Sequence, residues 1–237
     1  MKKRIILIIT LLIFLIAICP DKLFALQPKA LLPAGMTIKK MVLKEQASDY
    51  KLEMNYPEVR WSNHPKVEQL TNQQIKAVIE MAKADFLKDR EKPFNGFNNG
   101  ISTEYSVVCV DEKILSLRFN SLVYFAGAAH PRHWISTLNF DLLKGKQLWL
   151  PDLFAPGRKY LKTISDYCIK ELLKRGEIGR DQDWVRKGAG PDPKNYQYFN
   201  LTDKELIITF PDYQVAPYAA GEQEVSIPLE QLTRNLK

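Results

Sequence analysis

Two histidines stand three positions apart in the run Ala129-His130-Pro131-Arg132-His133, which holds two of the chain's three. Histidines at that spacing can ligate zinc when both lie on one helix face. Here a proline separates His130 from His133 and strand-like sequence flanks them, so the rings would splay. No glutamate follows the first histidine, as a His-Glu-x-x-His metalloprotease site requires. No metal is expected. The competing reading is a turn between strands whose rings bond to backbone or serve binding.

Other reactive patterns are sparse. No Gly-x-Ser-x-Gly elbow occurs. Gly188-Ala189-Gly190-Pro191 lacks the Lys-Ser/Thr ending of a phosphate loop, and no cofactor is expected. Asp152, Asp166, Glu171, Asp203 and Asp212 could supply a carboxylate pair for glycan hydrolysis, but such a pair is defined by distance alone. With 27 acidic residues in the chain, chance proximity is common, so no catalytic residue is assigned. Aromatic anchors are easier to name. The run Tyr213 to Gly221 places Tyr213 and Tyr218 among proline and small residues, as a recognition loop or as a crossover packed on a sheet. Trp184, Tyr196 and Tyr218 are the proposed anchors, because Trp and Tyr dominate binding hot spots.

After Cys19, two cysteines remain, Cys109 and Cys168. They could pair in an oxidising compartment, closing a loop of about 60 residues worth up to ~4 kcal/mol. The alternative is two buried thiols, Cys109 in a Val-rich strand pattern and Cys168 on an apolar helix stripe.

The elements that must position these residues follow from periodicity. Residues 26–47 show no clean period and read as a tether. Tyr50, Leu52, Met54 and Tyr56 alternate with polar residues and predict a strand. Ile75, Ile79, Ala82 and Phe86 make a helical stripe over 67–89, ended by the Asn/Gly-rich segment at 93–100. Strands follow at 105–111, 115–125 and 134–142, an antiparallel meander with one buried face. A second helix is predicted over 157–175, a long polar loop over 176–194, a hairpin around Thr202-Asp203-Lys204, and a last strand at 224–227. Grouped strands and helices argue for an α+β fold, a mostly antiparallel sheet with two main helices packed on one face.

Lys2, Lys3 and Arg4 precede an apolar run from Ile5 to Cys19 that Pro20 and Asp21 break. This is the layout of a signal peptide, with cleavage expected after Ala25. Acylation at Cys19 or an uncleaved anchor are the other readings, and these are the only routes to a membrane. The net charge is +7, and much of it sits in that leader. The remainder is only mildly basic and has no aromatic-interleaved Lys/Arg run, which excludes a nucleic-acid partner. The protein is expected to be exported.

The run Phe125-Ala126-Gly127-Ala128-Ala129-His130-Pro131, with Asn139-Phe140-Asp141-Leu142, Gly145-Lys146 and Leu153-Phe154, resembles the RsiV-type extracytoplasmic domain family. So does Tyr213 to Gly221 with Val225-Ser226-Ile227-Pro228. The family's Gly-Gly-Ala-His-Pro pattern is altered here by Ala126 and an extra alanine. Residues from about 50 to 100 resemble the smaller PdaC-type accessory domain. The expected organisation is a leader over 1–25, a tether over 26–47, a PdaC-like region over 48–100 and an RsiV-like domain over 101–237.

The resemblance implies lysozyme binding by the outward domain. Only Met1 to Arg4 precede the apolar run, so the expectation is the binding module without the anti-sigma segment and without a separate deacetylase domain. The ligand would be a lysozyme-like hydrolase or a peptidoglycan fragment, met by Trp184, Tyr196, Tyr213, Tyr218, His130 and His133. The alternatives are a glycan-acting enzyme and a structural envelope protein.

Overall fold

Six strands form the first sheet in chain order: β1 (Met36–Gln46), β2 (Tyr50–Trp61), β3 (Asn99–Val110), β4 (Ile114–Tyr124), β5 (Arg132–Asp141) and β6 (Lys146–Leu148). Neighbours are antiparallel except β2 and β3. Helix α1 (Pro65–Asp89) joins those two, and a helical crossover returns the chain in the same direction. The computed structural model describes residues 32–92, 98–232 and 236, all within one unit, Leu31–Lys237. The expected leader at 1–25 and the Cys19 acylation site lie outside the described residues. Among the described residues no helix is long and apolar enough to cross a membrane.

Residues Thr71, Ile75, Ile79 and Phe86 of α1 are buried, the stripe its 3.6-residue period predicts. Ile75, Ile79 and Phe86 pack with Leu52, Met54, Leu117, Phe119 and Phe140 in the first core. The reading of 26–47 as a tether is corrected from Met36 onward, where the chain becomes the edge strand β1. Lys39, Lys40 and Lys44 are exposed along it and obscure the period, as charge commonly does on an edge strand.

A second sheet follows: β7 (Phe199–Leu201), β8 (Glu205–Phe210) and β9 (Gln223–Pro228), all antiparallel. Helix α2 (Tyr160–Leu173) buries Ile164, Cys168 and Leu172 in this second core. The fold is α+β, as expected, with three α-helices among the described residues and each long helix serving its own sheet. The stretch at 176–194 is not a plain loop: it contains helix α3 (Gln182–Gly188). Asp181 caps it, accepting from Trp184 N at 2.9 Å. The division expected near residue 100 falls inside the first sheet; the two cores separate between Leu142 and Leu148.

Cys109 and Cys168 are free thiols, so the bridge weighed for them is not formed. Cys168 is fully buried in the second core. Cys109 lies on β3, at the edge of a register shift, near Asp203. Burial raises the pKa of both thiols.

The two sheets meet through polar groups. Strands alternate faces, so Leu115, Leu117 and Phe119 turn to the first core while Ser116 and Arg118 turn the other way. That polar face is covered by β7, which crosses it rather than pairing with it. Ser116 Oγ donates to Asn139 Oδ1 at 2.7 Å and accepts from Asn200 Nδ2 at 2.9 Å and Leu201 N at 3.1 Å. Asn200 Nδ2 also donates to Leu117 O at 2.9 Å, and Asn139 Nδ2 to Phe199 O at 2.8 Å. Nearby, Arg118 donates to Thr209 Oγ1 at 3.3 Å and pairs with Glu222 and Glu224 of the second sheet's margin. Burial lowers the pKa of Arg118, and Glu222 opposes that shift.

Asn200→Ala removes two of these buried bonds and leaves a carbonyl without its donor. It should lower stability by about 2 kcal/mol, read as a reduced midpoint in urea with an unchanged slope.

Candidate functional site

The first sheet contributes the connection between β4 and β5. It turns at Gly127, carries His130 and Pro131 at its end, and feeds His133 into the start of β5. The second sheet contributes the connection between β8 and β9, residues 211–222. Five of the six sequence-predicted binding residues converge where these connections meet. The ring of Tyr218 stacks on His130, with centroids 4.1 Å apart and planes 28° from parallel. It also lies 5.9 Å from His133 and 5.8 Å from Tyr213, both in stacked orientation. The Tyr218 hydroxyl donates to Pro131 O at 3.0 Å, which ties the two connections together. Trp184 of α3 joins through its indole N–H, donated to Tyr213 O at 3.0 Å.

Tyr196 is the exception. It is 2% exposed in the second core, where its hydroxyl donates to Ala189 O, and burial raises its pKa. Its designation as a surface anchor is corrected: a 3₁₀ turn at Pro193–Tyr196 points this ring inward.

The residue that sequence reasoning did not place is Asp212, considered only, with Asp152 and three others, as one member of a carboxylate pair. The structure gives each its own partner. Asp152 accepts from Trp149 N at 3.0 Å. Asp212 Oδ2 lies 2.7 Å from His133 Nδ1. The Asp212 side chain is only 8% exposed, against 42% for His133, and its second oxygen is buried without a partner. An ionised carboxylate only accepts hydrogen bonds. Nδ1 of His133 therefore carries a proton, and Nε2 of the neutral ring is left as an acceptor.

The loop that brings these groups together is held under backbone constraint. Tyr213 has φ of 68°, in the left-handed region that side chains disfavour. Gln214 fixes it, donating from Nε2 to Gly188 O and Asn195 O, both at 2.9 Å. Gly188 permits that approach, since a Cβ there would meet Gln214 O at 1.9 Å. Two hollows flank the cluster. Trp184 and Tyr213 line one of about 770 Å³, beside Asp181, Asp183 and Asp192. His133 lines another of about 830 Å³, opposite α1. Among the described residues no group of three His, Cys, Asp or Glu side chains gathers as a metal site.

One consequence is spectroscopic. Nitrogen-15 shifts of the neutral His133 ring should report the Nδ1–H tautomer, and Asp212→Ala should shift it toward the Nε2–H form. An Nε2–H ring in the unaltered protein would contradict the pairing.

Comparison with known proteins places the chain. A family model described as "Deacetylase PdaC" matches residues 43–133, and "Protein of unknown function (DUF3298)" matches residues 151–230. The chain is 28% identical over 150 residues to Peptidoglycan-N-acetylmuramic acid deacetylase PdaC of Bacillus subtilis, a match covering 63% of this chain and 32% of that protein. It therefore spans about a third of that relative's length. It is 24% identical to Esterase Rv3036c of Mycobacterium tuberculosis, covering 76% of this chain and 75% of that one. With Anti-sigma-V factor RsiV of Bacillus subtilis it shares 26% identity, over 78% of this chain and 65% of that protein. A crystal structure of a DUF3298 family member from Bacteroides fragilis superimposes with a TM-score of 0.63 at 18% identity, covering 85% of this chain and 94% of that one. That likeness speaks to the fold. The chain thus carries a PdaC-type region followed by a DUF3298 region, and its modest identities to PdaC and RsiV support an RsiV/PdaC-type domain family.

Proposed function

We propose that this protein is an exported binding module of the cell envelope, and that its partner is a lysozyme-like hydrolase. The observation that carries the reading is the convergence of His130, His133, Tyr213, Tyr218 and Trp184 from two sheets and a helix. Rigid aromatic rings held on a braced loop bind at small entropic cost. Asp181, Asp183 and Asp192 outnumber Lys187 and Lys194 around the adjoining hollow, which suits a cationic partner. The partner class comes from the RsiV-type resemblance of the two connections that build the cluster. A stable complex of this kind needs an interface above roughly 1,000 Å², so the hollow beside Trp184 and Tyr213 would be covered as well.

A second reading is favoured by one feature. The His133–Asp212 pair has the form of a general base and its orienting carboxylate, and one similar protein is named an esterase. It stands second because, among the described residues, no serine hydroxyl or thiol bonds the His133 ring. Under this reading the protein hydrolyses p-nitrophenyl acetate and His133→Ala abolishes the activity.

The binding reading is tested by calorimetric titration of the purified protein with a c-type lysozyme at physiological salt. A saturable one-to-one heat is expected. Tyr213→Ala and His130→Ala, both at exposed positions, should each weaken it by about tenfold. No heat, or variants that bind as tightly as the parent, would remove this partner.

A further inference from the structure

Helix α1 carries a second stripe, of which only Val78 packs against the first core. Gln74, Val78, Met81 and Asp85 fall at helical spacing beside the buried one, and all four line the hollow of about 830 Å³. Residues of β5, of the stretches Gln147–Pro151 and Tyr160–Leu161, and of the stretch Tyr196–Phe199 form most of the rest of its wall. Eleven residues of helix rise separate Gln74 from Asp85, about 17 Å of wall at 1.5 Å per residue.

The chemistry of this wall is specific. Met81 is 65% exposed and Trp149 is 60% exposed, large apolar side chains that the fold leaves open to solvent. Three carboxamides, Gln74, Gln147 and Gln197, also line the hollow. None makes a side-chain hydrogen bond among the described residues. The chain holds 34 lysines and arginines, yet among the described residues none lines this hollow. Among the described residues, Asp85 is the sole carboxylate there. An anionic polymer or a phosphate headgroup would meet no compensating charge and would face Asp85, so such ligands are disfavoured. A purely apolar ligand would strand the three carboxamides. The wall suits a neutral ligand with one apolar face and a polar edge. A pyranose ring has this shape: its C–H face lies on an aromatic ring while its hydroxyls and substituents hydrogen-bond at the rim. A carboxamide both donates and accepts, so it pairs with an acetamido group through both of its ends.

We propose that the hollow between α1, β5 and α2 is a saccharide site that takes an oligomer of N-acetylated hexosamine. This rests on the same binding reading as the aromatic cluster but uses a different surface. Trp149 supplies the stacking platform, Met81 the opposite apolar wall, and Gln74, Gln147 and Gln197 the acetamido and hydroxyl contacts. His133 stands at the rim that the two surfaces share.

The test is calorimetric titration of the full chain with tetra-N-acetylchitotetraose, and with cellotetraose as the ligand lacking acetamido groups. Saturable binding of the acetylated tetramer is expected, preferred over cellotetraose by about tenfold. Trp149→Ala should weaken it by at least about tenfold, and its exposed position leaves both cores intact. Tyr213→Ala should bind the tetramer like the parent, which separates this site from the lysozyme surface. No saturable binding in the millimolar range, equal affinity for cellotetraose, or full binding by Trp149→Ala would each overturn the proposal. None of these results would bear on lysozyme binding.

Discussion

Strand β7 crosses the polar face of β4 and β5 and bonds to side chains there instead of extending the sheet. Everything composite about this molecule depends on that crossing. Ser116, Asn139 and Asn200 satisfy one another and the β7 backbone, while Arg118 spans to Thr209, Glu222 and Glu224. Such a seam is not the most stabilising way to join two layers, because its groups must be desolvated and each hydrogen bond returns only about 1 kcal/mol net. Its value lies in register. An apolar seam tolerates sliding, whereas a satisfied polar network has one arrangement that leaves no buried donor or acceptor unpaired.

Register matters because the aromatic cluster draws on both sheets. His130 and His133 follow β4, Asp212, Tyr213 and Tyr218 follow β8, and Trp184 comes from α3. A shift of one residue between the sheets would separate Tyr218 from Pro131 and Asp212 from His133. The left-handed backbone at Tyr213 fits this picture. Such a conformation costs of order 1–2 kcal/mol and persists here because Gln214, Gly188 and Trp184 hold the loop from three directions.

Much of this was legible in the residue pattern. The two-residue period of β4 and β5 and the helical stripe of α1 required one buried face each, and the structure has them. The second burial was not legible: Ser116, Arg118 and Asn139 alternate with apolar residues and read as a wet face, yet they are the contact with β7. The same ambiguity hid β1 behind its edge lysines and α3 behind flanking glycines and prolines. At the site, residue type singled out Tyr213, Tyr218, Trp184 and both histidines, which the structure brings together. It misled for Tyr196, where depth depends on a turn that only the tertiary structure sets. The pairing of Asp212 with His133 spans 79 positions, and nothing local announces it.

The most direct test of the central claim is native-state hydrogen exchange, comparing the slowest amides of β4 with those of β8. If the polar seam makes the two sheets one cooperative unit, amides such as Leu117 and Ile208 open with the same free energy, equal to that of global unfolding. If β8 opens at a clearly lower free energy while β4 stays protected, the sheets fold as separable modules and the seam does not set the geometry of the cluster.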